Sequence, residues 1–435
     1  MRALRTFLCL CAMLLCAALH AENWPQWRGP AFNGTSPETG LPSSFSKTDN
    51  IAWTVPLSGS SAATPIVWED SVFVCTHDKR TQDLQAICVN RKDGTIRWTK
   101  KVAIGASKAS QTGKNTHASP SPVTDGKTVW FTFGSGDIVA YDFSGTELWA
   151  KSLVKEYGAL TYMHGFSSSP LLYEGKLYIP LLRREHAVDT AGARADKAYE
   201  SFFICLDGAT GKEIWKQTRV GGAKDGGKEG YTTPIPFNNN GKTELVLTGA
   251  DALTSHDPST GSEIWRWLGF VNPGDSRTCC SAVIGDGLIY VGASQRNPTL
   301  AIKPGGSGLL PAENKVWSYA EFPANVGSPL LYQGSLYLID VKKKMLSCLD
   351  PKTGARKWVG SLGVTAEFTA SPTAADGKIY CMSEASDVIV VSPGPEFKIL
   401  NTVHFEDAGV ANASISFAHK QIFIRTGEKL YCVGK

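Results

Sequence analysis

One nine-residue phrase constrains this chain more than any other feature. Asp207-Gly-Ala-Thr210-Gly211-Lys-Glu-Ile-Trp215 recurs as Asp257-Pro-Ser-Thr260-Gly261-Ser-Glu-Ile-Trp265 and as Asp350-Pro-Lys-Thr353-Gly354-Ala-Arg-Lys-Trp358. Looser copies run Asn90…Gly94…Trp98 and Asp142…Gly145…Trp149, the latter one residue shorter. A further copy has an expanded turn, Lys303-Pro-Gly-Gly…Trp317, and another runs Ser392-Pro-Gly394…Leu400 with Leu400 in the tryptophan position. The phrase describes a strand ending at Asp, a tight turn whose Gly supplies a positive φ, and a returning strand that carries a large aromatic.

A second landmark precedes each turn. Thr64-Pro65, Ser121-Pro122, Ser169-Pro170, Thr233-Pro234, Ser328-Pro329 and Ser371-Pro372 open strands, and Ser281-Ala282 and Ser414-Ile415 hold the same place without proline. A short turn and an aromatic follow, as in Gly175-Lys-Leu-Tyr178 and Gly377-Lys-Ile-Tyr380. Each unit is therefore four strands in roughly 50 residues, the signature of a propeller blade. The last unit, Ser414 to Val433, stops after three strands, while Ile51-Ala-Trp53 is an orphan fourth strand with the right Trp. Pairing the two ends removes an exposed sheet edge. The expected fold is all-β, an eight-bladed β-propeller of four-stranded antiparallel blades. The N-terminal strand closes it against the C-terminal blade. Trp53, Trp98, Trp149, Trp215, Trp265, Trp317 and Trp358 become one packing position repeated.

The ends and the composition narrow the setting. Arg2, Arg5, the apolar run Phe7 to Leu19 and the small residues Ala17, Ala18 and Ala21 read as a secretory signal peptide over 1–21. Residues 22–50 follow as an N-terminal clasp segment, and 51–435 as the propeller. The mature chain is expected in the periplasm or secreted, without a transmembrane segment and as a monomer. Lys+Arg of 44 against Asp+Glu of 40 is too balanced for a nucleic-acid binder.

Taken together, the repeats resemble the quinoprotein-like, PQQ-repeat β-propeller superfamily from Trp53 to Val433. That superfamily includes PQQ-dependent alcohol dehydrogenases and the outer-membrane assembly lipoprotein BamB. The opening Asn23-Trp-Pro-Gln-Trp27-Arg-Gly-Pro30 looks like the start of secreted bacterial propellers of this type. The Asp-x-x-Thr-Gly-x-x-x-Trp phrase is specific for the fold and carries little about function.

Two sets of residues bear on chemistry. Cys88, Cys205, Cys348 and Cys432 share one repeat position and read as small packing residues, with a Cys75–Cys88 bridge as an alternative within the first blade. Cys279-Cys280 stands apart, at the head of an inner strand. The resemblance implies a vicinal disulfide stacked on a quinone at a comparable place in the dehydrogenases. Their calcium ligands and catalytic aspartate find no residue-by-residue match here. No cofactor is expected from the residues themselves; PQQ with Ca²⁺ is the alternative that the resemblance adds.

The other set lies just upstream of the inner strands, where a propeller's axis opens. It comprises His117, His164, Tyr231, Arg277, Glu367 and Asn412 as candidate ligand-binding residues, with Glu229 and Met163 beside them. Such polar strand heads either satisfy one another and water or form a polar pocket with aromatic walls, suited to a carbohydrate or peptide. A long charged insertion, Arg183 to Tyr199, and the glycine-rich Gly221 to Gly230, read as a flexible connector, border that end. With complete repeats and no catalytic signature, the leading expectation is a non-enzymatic binding or protein-interaction scaffold of the cell envelope. The alternative is a PQQ-dependent dehydrogenase, or a sugar-active enzyme using the funnel.

Overall fold

The computed structural model describes residues 23–78, 80–102, 115–188, 193–223, 225–270, 277–292 and 297–434. The expected signal peptide lies outside them. Eight antiparallel blades form the ring, each numbered here by its order in the chain. Blade 3 is typical: strands Leu171–Tyr173, Lys176–Leu181, Phe202–Asp207 and Glu213–Thr218 are hydrogen-bonded in that order. The second and third strands are almost wholly buried, whereas the last alternates between exposed and buried residues, as an edge facing solvent should. Blade 8 is assembled from both ends of the chain. Ile51–Pro56 pairs with Lys429–Val433 and places Trp53 opposite Cys432.

The two sequence landmarks turn out to be the two fastenings between blades. On the outer side, six of the seven repeat indoles donate their N–H to a main-chain carbonyl in the next blade's turn. Trp53 reaches Arg91 O at 2.7 Å, Trp98 Phe143 O at 3.0 Å, Trp149 Gly208 O at 2.8 Å, Trp215 Pro258 O at 3.0 Å and Trp317 Pro351 O at 2.9 Å. The turn glycine lies flat beneath the ring: a Cβ on Gly211 would stand 2.7 Å from Trp149, in a backbone conformation (φ +68°) that already favours glycine. On the inner side, the strand-head hydroxyls accept the main-chain N–H of the blade before. Thr64 donates to Ser121, Ser121 to Ser169, Thr233 to Ser281, Ser281 to Ser328, Ser328 to Ser371 and Ser371 to Ser414, all within 2.8–3.2 Å. The proline that usually follows brings no N–H needing a partner at the crowded axis.

Three details depart from the sequence reading. In blade 7 the residue opposite Val390 is Asn401, and Leu400 is 42% exposed. The bulge after Val390 recurs at the same place in blades 1 to 6, but the turn between paired Val391 and Ile399 is one residue longer than that between Leu206 and Glu213. Leu400 therefore does not occupy the tryptophan position; Asn401 does, and it donates to Phe45 O. The next blade offers Trp265 no regular turn, and the Trp265 indole donates instead to the buried Glu244 carboxylate of its own blade at 2.9 Å. The expanded turn of blade 5 returns as Gly308–Leu309 and adds a fifth, parallel strand to blade 4. Cys75 and Cys88 do not bridge. Cys88 lies opposite Trp98, and the Cys75 thiol faces Ala118 O at 3.5 Å.

Candidate functional site

Strand direction separates the two ends of the axis. Residues leading into each inner strand lie at one end, the mouth, and the hairpin turns after each inner strand lie at the other, the floor. The N-terminal segment occupies the floor. Trp24 forms an antiparallel bridge with Val67 of blade 1, Pro25 O accepts from Thr124 N of blade 2, and Thr35 bridges Ala374 of blade 7. From there Arg28 reaches into the axis. Its guanidinium, 4% exposed, donates to Asn33 O at 2.6 Å, Pro329 O at 2.7 Å and Pro372 O at 3.1 Å, the last two at the strand heads of blades 6 and 7. Burial without a carboxylate pulls its pKa down to about 9.

At the mouth, blades 3 to 5 share one cluster. Glu229 sits at its centre with a fully buried side chain. Its carboxylate accepts from Arg184 Nε, from the Tyr231 hydroxyl and from Met163 N at 3.3 Å. The loop that carries it is not a slack connector. A short 3₁₀ turn, Asp225–Lys228, precedes it, and Gly230 bridges to Thr278 of blade 5 while Tyr231 N donates to Thr278 O at 2.8 Å. Arg184 comes from the base of the charged insertion, which Arg183 pins by donating to the carbonyls of Tyr157, Gly158, Ala159 and Glu200. The insertion itself forms a small hairpin, His186–Val188 with Arg194–Ala198; residues 189–192 of it lie outside the described set.

Next to this carboxylate stand the groups that meet solvent. Arg277 Nη1 lies 2.5 Å from His164 Nε2 and 3.1 Å from Met163 Sδ. The His164 ring packs 6.2 Å from Tyr231, whose other side faces Tyr162 at 5.6 Å. Asn115 Nδ2 donates to His164 O at 3.0 Å, carrying the wall toward blade 2. Burial lowers the His164 pKa, Arg277 lowers it further, and Glu229 pulls the other way. An imidazole that accepts from a guanidinium through Nε2 must be neutral with its proton on Nδ1.

Three sequence candidates fall elsewhere. His117 is 9% exposed and packs its ring 5.2 Å from that of buried His77, away from His164. Burial, then the neighbouring His77, push its pKa down to about 4. Glu367 and Asn412 stand on the opposite arc: Asn412 Oδ1 accepts from Thr369 Oγ1 at 2.7 Å, and Glu367 O accepts from Glu384 N at 2.8 Å. Cys279 borders the cluster, where burial pushes its thiol up to about 11 despite Arg277 nearby. Cys280 is fully buried, its thiol 3.4 Å from Gly327 O, and no disulfide joins the two. Glu229 and Arg184, which hold the cluster together, come from two segments that break the repeat; strand-head position placed Glu229 at the axis, whereas irregularity was the sequence signal for Arg184.

The family described as outer membrane protein assembly factor BamB matches residues 43–199 and 198–309, more than half of the chain. The chain belongs to this family of PQQ-repeat propellers. Among curated proteins it is 29% identical over 184 residues to a quinohemoprotein alcohol dehydrogenase of Comamonas testosteroni, covering 37% of the chain and 23% of that enzyme. It is 21% identical over 280 residues to a polyvinylalcohol dehydrogenase of Pseudomonas sp, covering 59% of the chain and 41% of that protein. The chain thus spans less than half the length of either. Among solved structures, BamB from Moraxella catarrhalis superposes with a TM-score of 0.61 at 9% identity, over 88% of this chain and 99% of that one. The quinohemoprotein alcohol dehydrogenase from Comamonas testosteroni gives 0.67 at 12%, over 98% and 82%. A europium-containing methanol dehydrogenase gives 0.68 at 11%, over 95% and 98%. These likenesses establish the fold.

The dehydrogenase resemblance raises PQQ with calcium, and the described residues do not fit that pair. No three His, Cys, Asp or Glu side chains among them gather as a metal site. The carboxylate at the cluster, Glu229, is already engaged by Arg184 and Tyr231, and Cys280 is fully buried and not bonded to Cys279. No helix among them is long and apolar enough to cross a membrane.

Proposed function

We propose that this protein is an exported, non-enzymatic propeller that serves as a binding or protein-interaction scaffold in the cell envelope. In this reading residues 1–21 are a cleaved signal peptide, 22–50 a clasp over the floor and 51–435 the propeller, a monomer whose mouth meets an envelope protein or a carbohydrate or peptide ligand. The observation that carries it is the state of the groups at the mouth. Glu229 is buried and occupied, Cys279 is held as a thiol, and His164 is bonded to Arg277, so among these described residues no base or nucleophile stands ready. The side chains that do reach solvent, among them Met163 at 39% exposure, are of the kind that recognises rather than reacts. Membership of a family described by an assembly factor supports the same reading.

The competing reading is a quinone-dependent dehydrogenase, favoured by the likeness to a quinohemoprotein alcohol dehydrogenase over 184 residues. One experiment separates them. Purified protein mixed with PQQ and Ca²⁺ and then desalted is expected to carry no quinone absorbance and to reduce no dye with alcohols or sugars; appearance of both overturns the scaffold reading. In cells, a photo-crosslinking residue at Met163 is expected to give a discrete protein adduct that the same residue at Leu148, on the outer wall, does not. Equal labelling at both positions would remove the mouth as the contact surface.

A further inference from the structure

We propose that the mouth is an anion site in which Arg277 receives the carboxylate of a small organic or sugar acid. The proposal rests on reading the mouth as a binding surface and names what that surface takes. Among the described residues, the partners of the Arg277 guanidinium are a neutral imidazole nitrogen, His164 Nε2 at 2.5 Å, and a thioether, Met163 Sδ at 3.1 Å. A thioether is a weak acceptor and an imidazole carries no charge to offset a cation. The neighbouring cations are matched differently. Arg184 is paired with Glu229, and Lys228 with Glu185 at 2.7 Å.

Glu229 is not available to Arg277. Its two oxygens already accept from Arg184, Tyr231 and Met163 N, and its side chain is fully buried. Beneath the mouth Arg28 adds a second guanidinium whose partners among the described residues are carbonyl oxygens. The acidic groups Glu367 and Glu384 stand on blade 7, on the other side of the axis. Among the described residues, one wall of the mouth therefore keeps the Arg277 charge without a carboxylate partner. The guanidinium fork matches a carboxylate in plane and spacing, and a charged acceptor binds it about twice as strongly as a neutral one. Tyr231, partly exposed and backed by the buried Tyr162 ring at 5.6 Å, offers an apolar face for the carbon skeleton.

The test is isothermal titration of the folded protein with D-glucuronate and with succinate, against D-glucose and sodium chloride at matched ionic strength. At least one of the acids is expected to bind, about tenfold or more tighter than glucose, with an affinity that weakens as salt rises. Arg277→Met is expected to lose that binding about tenfold or more, and Arg277→Lys to keep part of it. The imidazole proton signal of His164 supplies a second readout: its titration midpoint should rise when the acid neutralises Arg277, and should rise in Arg277→Met without any ligand. Binding of neither acid, or binding that survives Arg277→Met, overturns the proposal. Glucose bound as tightly as glucuronate overturns it too, while leaving the mouth a binding surface.

Discussion

The two ends of the axis are built on opposite rules. At the floor, a single-copy segment is locked to the ring by backbone pairing and by buried groups: Trp24 is fully buried against Phe417, their ring centres 5.6 Å apart, and Arg28 is enclosed by carbonyls. At the mouth, the residues of blades 3 to 5 pair only in part, and Met163, His164, Tyr231 and Arg277 keep surface in contact with solvent. The difference teaches where each end spends its interactions. The floor uses them to hold eight blades together; the mouth leaves them incomplete, which a surface needing an outside partner must do.

The largest effect is expected at the floor. Trp24→Ala empties a site lined by blades 1 and 8 and is predicted to cost about 3–5 kcal/mol, the range for large aromatic truncations in a core. Thermal or denaturant unfolding measures it. A loss below about 1 kcal/mol would mean that the segment merely lies on the floor, and the contrast between the ends would collapse.

Acid tests the burial of His117. His117 has a pKa of about 4 in the folded protein against 6.5 for the free side chain. Between those values the unfolded chain binds more protons than the folded one, so stability present above pH 6.5 is lost as pH falls toward 4. For a site this buried the contribution is at most about 3 kcal/mol. His117→Gln is predicted to flatten that limb of the stability–pH curve. A limb unchanged in His117→Gln would show that other groups, such as buried His256, with its pKa near 4, govern it.

Periodicity explains which of these features were legible in the sequence. Tryptophan, Thr-Gly turn and Ser-Pro strand head recur, and from them the blade count, the Trp53–Cys432 closure and the packing cysteines follow. The same reasoning failed at Leu400, because the Ser392-Pro-Gly turn holds one residue more than the Thr-Gly turns, which moves Asn401 into the position opposite Val390. It also left the purpose of the strand-head hydroxyls unseen, since a hydrogen bond between equivalent positions in successive blades exists only once the ring has closed. Arg28 occurs once and in no repeat, so nothing marked it as the axial side chain. The mouth was legible as a place but not as a grouping. His164, Tyr231 and Arg277 come together because Glu229 and Arg184 arrive from two irregular insertions, whereas His117, equal to His164 by position in its blade, is drawn off by His77.

The smallest stability effect should come from the mouth, and there it is the most informative. Met163 is 39% exposed, and its sulfur touches Arg277 without satisfying it. Replacing it with Ala removes surface area that is only partly withdrawn from water, so unfolding stability is predicted to change by no more than about 0.5 kcal/mol. The main-chain N–H of residue 163 still donates to Glu229, so the cluster behind it should keep its geometry. What changes is the surroundings of the Arg277 fork. With the thioether gone, the guanidinium loses a weak partner and gains room, and its affinity for glucuronate or succinate should rise or stay level rather than fall. A Met163→Ala protein that unfolds several kcal/mol earlier would place this residue among the fastenings of the fold and erase the distinction between floor and mouth at the point where it is sharpest.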